Sequence, residues 1–501
     1  MELRNILHER FGYTSFRKGQ QEIIEDVIAG RNVVAMLPTG AGKSICYLLP
    51  GYILDGAVII VSPLLSLMED QVHQLQMIGE KRSVAINSFL SFEEKKRVVE
   101  DLAKYKYIFV SPEMLQNSYF MNKLRRLHVS LFVIDEAHCI SQWGHEFRTD
   151  YLKLSSVMKE LGSPTCLALT ATATKQVLKD IVGFLKLKDV HYHLHSIDRP
   201  NISINVEKVA TIDDKKRKLI EWVQRLQGPG MIYFSSRWWA EHISSLLVEA
   251  GIKGVAYYHG GMDAEQRMLI QQQFLSDQLQ IICCTNAFGM GVNKPNVRYV
   301  IHFHYPTTIE AYLQEIGRAG RDGLPSIGIL LHSPSDQELP EALIQQEFPS
   351  KDELEHIVAT IKNNVPLHQL IKEDELLAFS TINETGWRFI KYQLEIGGWL
   401  IEGRLVKDIL PEEFLRHIKT LIEKRLVYKH QKLQEMSQWM HTSTTCRRQG
   451  YLSIFDEKLT KPVPQCCDLC KVDYQLYENK GETSEIKVKD WQQELKLILI
   501  K

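Results

Sequence analysis

The feature that most constrains the fold is a repeated alternation of short apolar, β-branched runs with longer amphipathic stretches. The runs form two series, the first over 33–36, 57–61, 107–110, 131–134 and 165–169 and the second over 231–234, 255–258, 281–284, 299–302 and 327–331. Such alternation predicts parallel sheets joined by right-handed crossovers. Residues 199–216 lie between the two series and are interpreted as a connection. The sequence therefore predicts an α/β fold with two parallel-sheet lobes in tandem.

Helical periodicity replaces the strand pattern after about Pro340. Ser350 is a suitable N-cap for one helix, a second begins near Asn383, and a third spans 411–440 with Pro411 in its first turn, where the missing N–H is tolerated. Apolar residues at helical spacing mark the buried faces of the first two helices: Leu354, Ile357, Val358 and Ile361, then Trp387, Ile390 and Leu394. This part of the chain is predicted to be rich in helix.

Composition limits the function classes. Lys and Arg number 60 and Asp and Glu 61, so the chain lacks an overall basic excess and any anionic partner must be held by local patches. No run approaches the roughly 18 to 20 apolar residues of a membrane helix, and the N-terminus lacks the apolar core of a secretory signal. Nine cysteines, an odd number, argue against a disulfide framework. We expect an intracellular protein that does not enter a membrane.

A phosphate-binding loop is predicted at 38–44, between a strand and a helix. Its small residues let successive backbone N–H groups surround phosphate oxygens at a helix N-terminus. Lys43 would reach the β- and γ-phosphates and Ser44 would ligate Mg²⁺, although Leu37 stands where the strict motif has Gly. The nucleotide contacts predicted here are Thr39, Gly40, Ala41, Gly42, Lys43 and Ser44. The alternative is a Gly-rich turn without a ligand.

Two carboxylates follow the strand at 131–134. Asp135 is predicted to hold Mg²⁺ through water, and Glu136 to orient and deprotonate the attacking water. For His138, a coupling role toward the second lobe competes with ordinary packing. Together with the phosphate loop, this pair predicts an ATPase.

A pair of arginines ends the segment 314–321 in the second lobe. Arg318 and Arg321 are close to one helical turn apart, so both guanidinium groups can face the same way. At the interlobe cleft they would neutralise charge on the transferring γ-phosphate. The alternative is a solvated basic face.

These motifs resemble those of superfamily-2 helicases, and other segments are similar to the RecQ family. Residues 11–20 resemble the RecQ adenine-reading segment, in which the Gln20 amide fits adenine while Tyr13 and Arg17 pack on the base. Lys18 stands where the family usually has Pro.

Residues 139–148 are similar to the aromatic-rich loop of the RecQ family. Trp143 and Phe147 can stack on exposed bases, each contact contributing about 1 to 3 kcal/mol, and Arg148 can hold a phosphate. Glu146 stands where Asp is more usual. The alternative for the aromatic residues is core packing.

Further segments resemble the backbone-gripping and coupling motifs of both lobes. The matching residues assigned to DNA binding are Ser62, Thr170, Thr172, Arg237, His259 and Thr285. Gly289 and Asn293 are assigned to the nucleotide, and the family normally has Asp where this chain has Asn293. Small polar side chains suit phosphate rather than base edges, so sequence-independent binding is expected.

Four cysteines lie close together near the end of the chain. Cys446, Cys466, Cys467 and Cys470 have a spacing that can form a closed, structural zinc site. The surrounding residues also resemble the RecQ zinc-binding module. A redox-labile or metal-free cluster is the alternative.

The resemblance implies two tandem RecA-like lobes followed by a helix-rich accessory module and a small zinc-binding module. We divide the chain into lobe 1 (1–205), lobe 2 (206–340), a winged-helix-like accessory module (341–432), the zinc module (433–475) and a tail helix (476–501). About 100 residues separate lobe 2 from the cysteines, and little follows Cys470. This arrangement resembles the short bacterial RecQ-like proteins of the RecS type. For the accessory module, duplex contact and a purely structural spacer both remain open.

The implied activity is that of an ATP-dependent DNA helicase requiring ATP, Mg²⁺ and Zn²⁺. It would move 3′ to 5′ on single-stranded DNA and unwind duplex or branched DNA in repair and recombination. We expect single-stranded and forked DNA as partners, contact with single-strand-binding or recombination proteins, a monomer, and location at the nucleoid in a bacterial cytoplasm. The rival functions are an RNA-directed helicase and a non-catalytic DNA-binding adaptor.

Overall fold

The first series of apolar runs forms a seven-stranded, all-parallel sheet in lobe 1. The structure is a computed structural model that describes residues 3–63, 65–87, 90–141, 149–288, 294–378, 382, 384–401 and 403–478. The strands are β1 (Asn32–Met36), β2 (Ala57–Val61), β3 (Ser83–Ile86), β4 (Tyr107–Val110), β5 (Val129–Ile134), β6 (Thr165–Thr170) and β7 (Val190–Leu194). Their order in the sheet is β3-β4-β2-β5-β6-β1-β7.

Helices cover both faces of this sheet. They are α1 (Leu3–Phe11), α2 (Gln20–Ile28), α3 (Ile45–Ile53), α4 (Leu65–Met77), α5 (Phe92–Glu100), α6 (Ser118–Leu124), α7 (Leu154–Glu160) and α8 (Lys175–Leu185). Alternate residues of β1 belong to opposite cores, with Val34 in one and Val33 in the other. Burial on both faces explains why these strands have continuous apolar runs in the sequence.

Lobe 2 contains a six-stranded parallel sheet of the same kind. Its strands are β8 (Ile202–Lys208), β9 (Gly230–Tyr233), β10 (Val255–Tyr258), β11 (Ile281–Cys284), β12 (Tyr299–His302) and β13 (Ser326–His332), in the order β10-β11-β9-β12-β13-β8. Its helices are α9 (Ile212–Arg225), α10 (Arg237–Glu249), α11 (Ala264–Leu275) and α12 (Ile309–Ile316). The ten predicted strands and the predicted fold class are confirmed.

Residues 199–216 are more than the predicted connection. β8 pairs in parallel with β13 from Ile202 to Lys208, and α9 begins at Ile212. The predicted lobe boundary at 205/206 therefore falls inside a strand of lobe 2, and we place the boundary before Ile202. Alternation of apolar and polar residues along this edge strand hid it from a search for continuous apolar runs.

The accessory module has a hydrophobic core of its own. Its elements are α13 (Glu338–Gln346), α14 (Lys351–Asn364), α15 (Glu373–Ala378), α16 (Glu384–Ile396), β14 (Leu400–Ile401), β15 (Arg404–Leu405) and the first half of α17 (Pro411–His441). Ser350 caps α14 in a capping box, as its predicted N-cap role requires. The apolar faces predicted for α14 and α16 are confirmed because all seven residues are buried in this core.

The cysteine module docks on the edge of the lobe 2 sheet. It comprises the end of α17, α18 (Arg447–Ile454) and the loop that carries the last three cysteines. The Ile204 N–H donates to the Cys466 carbonyl at 3.2 Å. The loop therefore covers the edge of β8, which would otherwise be open to solvent. Among the described helices, none has the length and apolar character needed to cross a bilayer.

A buried ion pair links α9 to the end of β13 in lobe 2. Lys215 Nζ lies 2.5 Å from Asp336 Oδ2, and both side chains are almost fully buried. Burial opposes ionisation of the carboxyl, but the imidazole of His332, whose Nδ1 lies 3.7 Å away, and the bonded ammonium of Lys215 outweigh it and lower the pKa of Asp336 to about 2. We expect Asp336→Ala to lower the free energy of unfolding by about 3–5 kcal/mol, because Lys215 is left buried without its carboxylate.

Urea unfolding followed by tryptophan fluorescence measures this effect. Asp213→Ala, which removes an exposed carboxylate from the same helix, should change stability by less than about 1 kcal/mol. Because the pKa of Asp336 is lowered on folding, its contribution is present above pH 4 and is lost as the pH falls toward about 2. Equal stability of Asp336→Ala and wild type at pH 7 would contradict this account.

Candidate functional site

A cavity of about 430 Å³ lies between the two lobes. It collects predicted nucleotide and catalytic residues from distant parts of the chain. Those from lobe 1 are Tyr13, Arg17, Gln20, Thr39, Gly40, Gly42, Lys43, Ser44, Asp135 and Glu136, and those from lobe 2 are Arg318 and Arg321. Ligands of α/β folds commonly bind beyond the carboxyl ends of the strands, which is where the loops after β1 and β5 lie.

The phosphate loop has the backbone shape that its glycines allow. Gly40 and Gly42 have φ angles of 84° and 78°, in the left-handed region. The loop leads into α3, and Lys43 Nζ lies 3.3 Å from Glu136 Oε1. A phosphate group entering the loop would therefore meet the ammonium and the carboxylate side by side.

Gln20 and Arg17 support this loop as well as lining the cavity. The Gln20 amide donates to the carbonyls of Ala41 at 3.1 Å and Gly42 at 2.9 Å, and its oxygen accepts from the Arg17 N–H at 2.8 Å. The Arg17 guanidinium donates to the Gly40 carbonyl. Adenine recognition by Gln20 thus requires a change of hydrogen-bond partners when nucleotide binds. Tyr13 is half exposed at the rim.

The two carboxylates lie at the end of β5, where a cation would be favoured. The Glu136 N–H donates to Asp135 Oδ1 at 3.0 Å, and Glu136 adopts a left-handed φ of 48°, which is uncommon outside glycine. Burial, together with the charge of Glu136, raises the pKa of Asp135 to about 6. A divalent cation would stabilise the ionised pair, so these oxygen donors fit Mg²⁺.

His138 joins Glu136 to the end of β6. Its Nδ1 lies 3.3 Å from Glu136 Oε2 and 3.1 Å from the Thr170 hydroxyl, which itself donates to the Thr172 carbonyl. His138, Thr170 and Thr172 are buried in lobe 1. The hydroxyl of Thr170 is used internally, and the DNA contacts of Thr170 and Thr172 stay predictions. The contacts described for His138 likewise stay within lobe 1.

The arginine pair faces the phosphate loop from lobe 2. A side chain at Gly40 would place Cβ 3.0 Å from Cγ of Arg321. Burial, and then the positive charges of Arg318 and Arg199, lower the pKa of Arg321 to about 9. Arg318 is also buried. A partly buried cluster of like charges is stabilised by an anion, so the residues present fit a triphosphate.

Several residues at the cavity were missed by sequence reasoning. Gln71 and Gln314 line it, and Arg199 donates to backbone carbonyls of both lobes. Gln314 lies within a recognised motif and could have been found. Arg199 lies in the segment interpreted as a connection, and nothing in its spacing indicated a role.

The other predicted DNA residues differ in accessibility. Ser62 and Thr285 are buried at the ends of β2 and β11. His259 contacts Glu241 at 2.7 Å and accepts from the Gly261 N–H at 3.2 Å, whereas Arg237 is exposed at the start of α10. Trp143, Phe147, Arg148, Gly289 and Asn293 lie outside the described residues.

The four clustered cysteines satisfy the geometry of a zinc site. Their Sγ atoms all lie within 4.8 Å of one another, and that of Cys446 is 3.4 Å from Cys466 and 3.9 Å from Cys467. Tetrahedral Zn–S bonds of about 2.3 Å require sulfur separations of about 3.8 Å. Arg447 makes two hydrogen bonds to Asp468 and orders the loop. The cluster fits Zn²⁺ with four protein ligands, so the site is structural.

Comparison with known proteins agrees with this geometry. Residues 17–181 match the DEAD/DEAH box helicase family, 214–323 the helicase conserved C-terminal domain, and 413–471 the RecQ zinc-binding family. The Mycobacterium smegmatis helicase Lhr bound to ssDNA and AMP-PNP shares the fold, with a TM-score of 0.56 and 19% identity over 68% of this chain and 49% of that one. S. cerevisiae Dbp5 bound to RNA and ADP BeF3 also shares the fold, with a TM-score of 0.56 and 18% identity over 69% of this chain and 90% of that one.

Fold and site thus define a two-lobed, nucleotide-binding protein of the helicase class. The chain is 46% identical to the probable ATP-dependent DNA helicase RecS of Bacillus subtilis, over 99% of this chain and 97% of the relative. It is 40% identical to the ATP-dependent DNA helicase RecQ of Haemophilus influenzae, over 71% of this chain and 58% of the relative. The chain belongs to the RecQ family of superfamily-2 helicases.

Proposed function

We propose that the chain is an ATP-dependent DNA helicase that moves along single-stranded DNA and unwinds duplex or branched DNA in repair and recombination. The observation that carries this proposal is the interlobe cleft, which places Lys43 and Glu136 of lobe 1 opposite Arg318 and Arg321 of lobe 2. The RecQ family implies movement from 3′ to 5′.

The charged residues that meet in the cleft divide the tasks of hydrolysis among them. Lys43 and the phosphate loop bind the β- and γ-phosphates, and Asp135 with Ser44 would hold Mg²⁺, which supplies charge neutralisation when bound. Glu136 orients a water molecule and accepts its proton. Arg318 and Arg321 stabilise negative charge on the transferring phosphoryl group. Because the two sets lie on different lobes, hydrolysis is tied to the relative position of the lobes.

Strand separation on a forked substrate tests the proposal. We expect the wild-type protein to unwind a 3′-tailed DNA fork with ATP and Mg²⁺, and to fail with a non-hydrolysable ATP analogue. An adaptor would bind the fork and separate nothing with either nucleotide. An RNA-directed enzyme would unwind the matched RNA fork instead, which would contradict DNA as the substrate.

The proposed division of the chain gives the accessory module, 341–432, a winged-helix arrangement. Helix α14 is followed by a backbone bridge at Leu370 to Arg404, then by α15, α16 and the β14–β15 hairpin. Helix α16 faces lobe 1, where Glu395 pairs with Lys153 at 2.5 Å. With α16 turned inward, Arg404 of the hairpin and Lys407 just after it are exposed cations that face away from the module's core and are available to a duplex.

A double charge reversal on the hairpin tests duplex contact. Arg404→Glu with Lys407→Glu is expected to weaken fork binding about 10-fold and to leave single-strand affinity unchanged. The number of counterions released on fork binding, measured from the salt dependence of the affinity, should fall by about one to two. The matched control is Lys351→Glu with Lys362→Glu on α14, which makes the same charge change elsewhere in the module. Fluorescence anisotropy with labelled forks measures both. Equal fork affinity in all three proteins would favour a structural spacer.

We also propose the remaining organisation and setting. Lobe 1 would span residues up to the start of β8, and the zinc module 433–475; the predicted tail helix, 476–501, lies almost entirely outside the described residues. The protein would act as a monomer on single-stranded and forked DNA, at the nucleoid of a bacterial cytoplasm, beside single-strand-binding or recombination proteins. Support comes from the bacterial relatives, whose names identify them as DNA helicases.

A further inference from the structure

We propose that Asp198 and Arg199 form a mechanical link between the cysteine module and the interlobe cleft, with Arg199 as a positioning residue for hydrolysis. This inference rests on the proposed function of the cleft and assigns part of its control to residues outside it. Both residues lie between β7 and β8, where the chain passes from one lobe to the other.

Arg199 binds both walls of the cleft at once. Its Nη1 donates to the Thr39 carbonyl at 2.7 Å and to the Gly317 carbonyl at 3.0 Å. Its Nη2 donates to the carbonyls of Ala319 at 3.1 Å and Gly320 at 2.6 Å. One guanidinium therefore ties the start of the phosphate loop to the backbone on both sides of Arg318.

The four carbonyl acceptors lie beside the phosphate loop and the arginine pair, so the Arg199 side chain can control how these two segments are aligned. Thr39 directly precedes the glycines that shape the loop, and the other three acceptors flank the arginines that face it. The segments that contain Thr39 and Gly317 also contact each other directly, because a Cβ at Gly317 would lie 3.2 Å from Cβ of Thr39. Loss of the guanidinium fork would leave each lobe folded but would loosen the alignment of Lys43 and Glu136 with the arginines.

Only arginine suits this position. The four acceptors require donors on two nitrogen atoms of a planar group, which an ammonium cannot supply in the same geometry. Burial, and secondarily the charge of Arg17, lower the pKa of Arg199, yet four carbonyl oxygens around the group favour the charged form.

The neighbouring residue connects this fork to the cysteine module. Tyr451 Oη donates to Asp198 Oδ1 at 2.6 Å, and Arg448 donates to the same oxygen and to the Arg199 carbonyl. Arg448 and Tyr451 lie on α18, immediately after Cys446, and both side chains are buried. Helix α18 thus holds the backbone of Arg199, while the side chain of Arg199 holds the two walls of the cleft together.

The first test measures ATP hydrolysis with saturating single-stranded DNA for Arg199→Lys. We expect kcat to fall about 10- to 100-fold, as the loss of several charge-assisted hydrogen bonds predicts, with KM for ATP within about threefold of wild type. The matched control is Arg298→Lys, whose guanidinium contacts Asp322 and the carbonyls of Asn296, Pro295 and Pro325, all within lobe 2. Its kcat should stay within about twofold.

Tyr451→Phe tests the connection to α18. Removing the hydroxyl leaves Arg448 as the described α18 side chain that holds Asp198, and we expect kcat to fall about three- to tenfold with an unchanged melting temperature. Wild-type kcat in Tyr451→Phe beside an impaired Arg199→Lys would overturn the connection. Wild-type kcat in Arg199→Lys, or an equal loss in Arg298→Lys, would overturn the role of Arg199.

Hydrogen exchange supplies a readout that does not depend on catalysis. In the nucleotide-free protein, Arg199→Lys should speed exchange of backbone amides in 38–44 and 314–321 and leave the central strands of both lobes unchanged. Unchanged exchange in both segments would overturn the link. Absence of DNA-stimulated hydrolysis in the wild type would instead overturn the proposed function, and the exchange result would still decide this inference.

Discussion

Replacing Glu136 with Gln is expected to lower kcat for ATP hydrolysis by about 10²- to 10⁴-fold, the contribution of a positioned general base. The substitution keeps the shape of the side chain and removes its negative charge, and with it the ability to accept a proton. Glu136 lies 3.3 Å from Lys43 and comes after a strand that is buried except at Ser130, so its position is fixed before nucleotide enters. Single-strand binding should be unchanged, because this carboxylate faces the cleft.

The control for this prediction is Glu160→Gln. Glu160 pairs with Arg125 on the surface of the same lobe, where loss of an ion pair changes little. Steady-state hydrolysis and anisotropy with labelled single strands measure the two properties separately. If the Glu136→Gln protein keeps more than about a tenth of wild-type kcat, Glu136 is not the general base.

Replacing Arg321 with Ala is expected to reduce kcat by about 10³-fold or more, the usual contribution of an arginine that stabilises a transferring phosphoryl group. Arg321 lies against Gly40 of the phosphate loop although it belongs to lobe 2. Binding of a non-hydrolysable ATP analogue should weaken far less than kcat falls. This separation arises because the charge acts mainly in the transition state.

Stability distinguishes this role from a structural one. Burial and the neighbouring charges of Arg318 and Arg199 lower the pKa of Arg321, so its charge is unfavourable in the nucleotide-free protein. We therefore expect Arg321→Ala to melt at the same temperature as wild type or higher, as is common for strained functional residues. Arg217→Ala, at an exposed ion pair on α9, serves as the control and should keep full activity. A large drop in melting temperature with Arg321→Ala would indicate a structural role.

The sequence predicted the strands with continuous apolar runs and missed two strands with mixed patterns. The half-exposed β7 and the edge strand β8 alternate apolar with polar side chains. A search for continuous apolar runs cannot find such strands. Consequently the lobe boundary was placed inside β8.

Site chemistry was easier to predict than site accessibility. The phosphate loop, the two carboxylates and the arginine pair could be predicted because each follows a strand or helix with a clear pattern. All three line one cavity in the structure. The DNA role of Thr170 stays a prediction, because a motif gives the residue type and not its exposure, and this side chain is buried. Arg199 was missed because its described cleft partners are backbone carbonyls, which leave no trace in the side-chain pattern.

A motor requires that the nucleotide cleft be coupled to DNA. The rate of ATP hydrolysis with no nucleic acid, with single-stranded DNA and with single-stranded RNA of the same sequence tests that coupling directly. We expect strong stimulation by DNA and little by RNA. Hydrolysis that is indifferent to DNA would leave the nucleotide site in place and contradict the motor, and no hydrolysis under any condition would favour the adaptor.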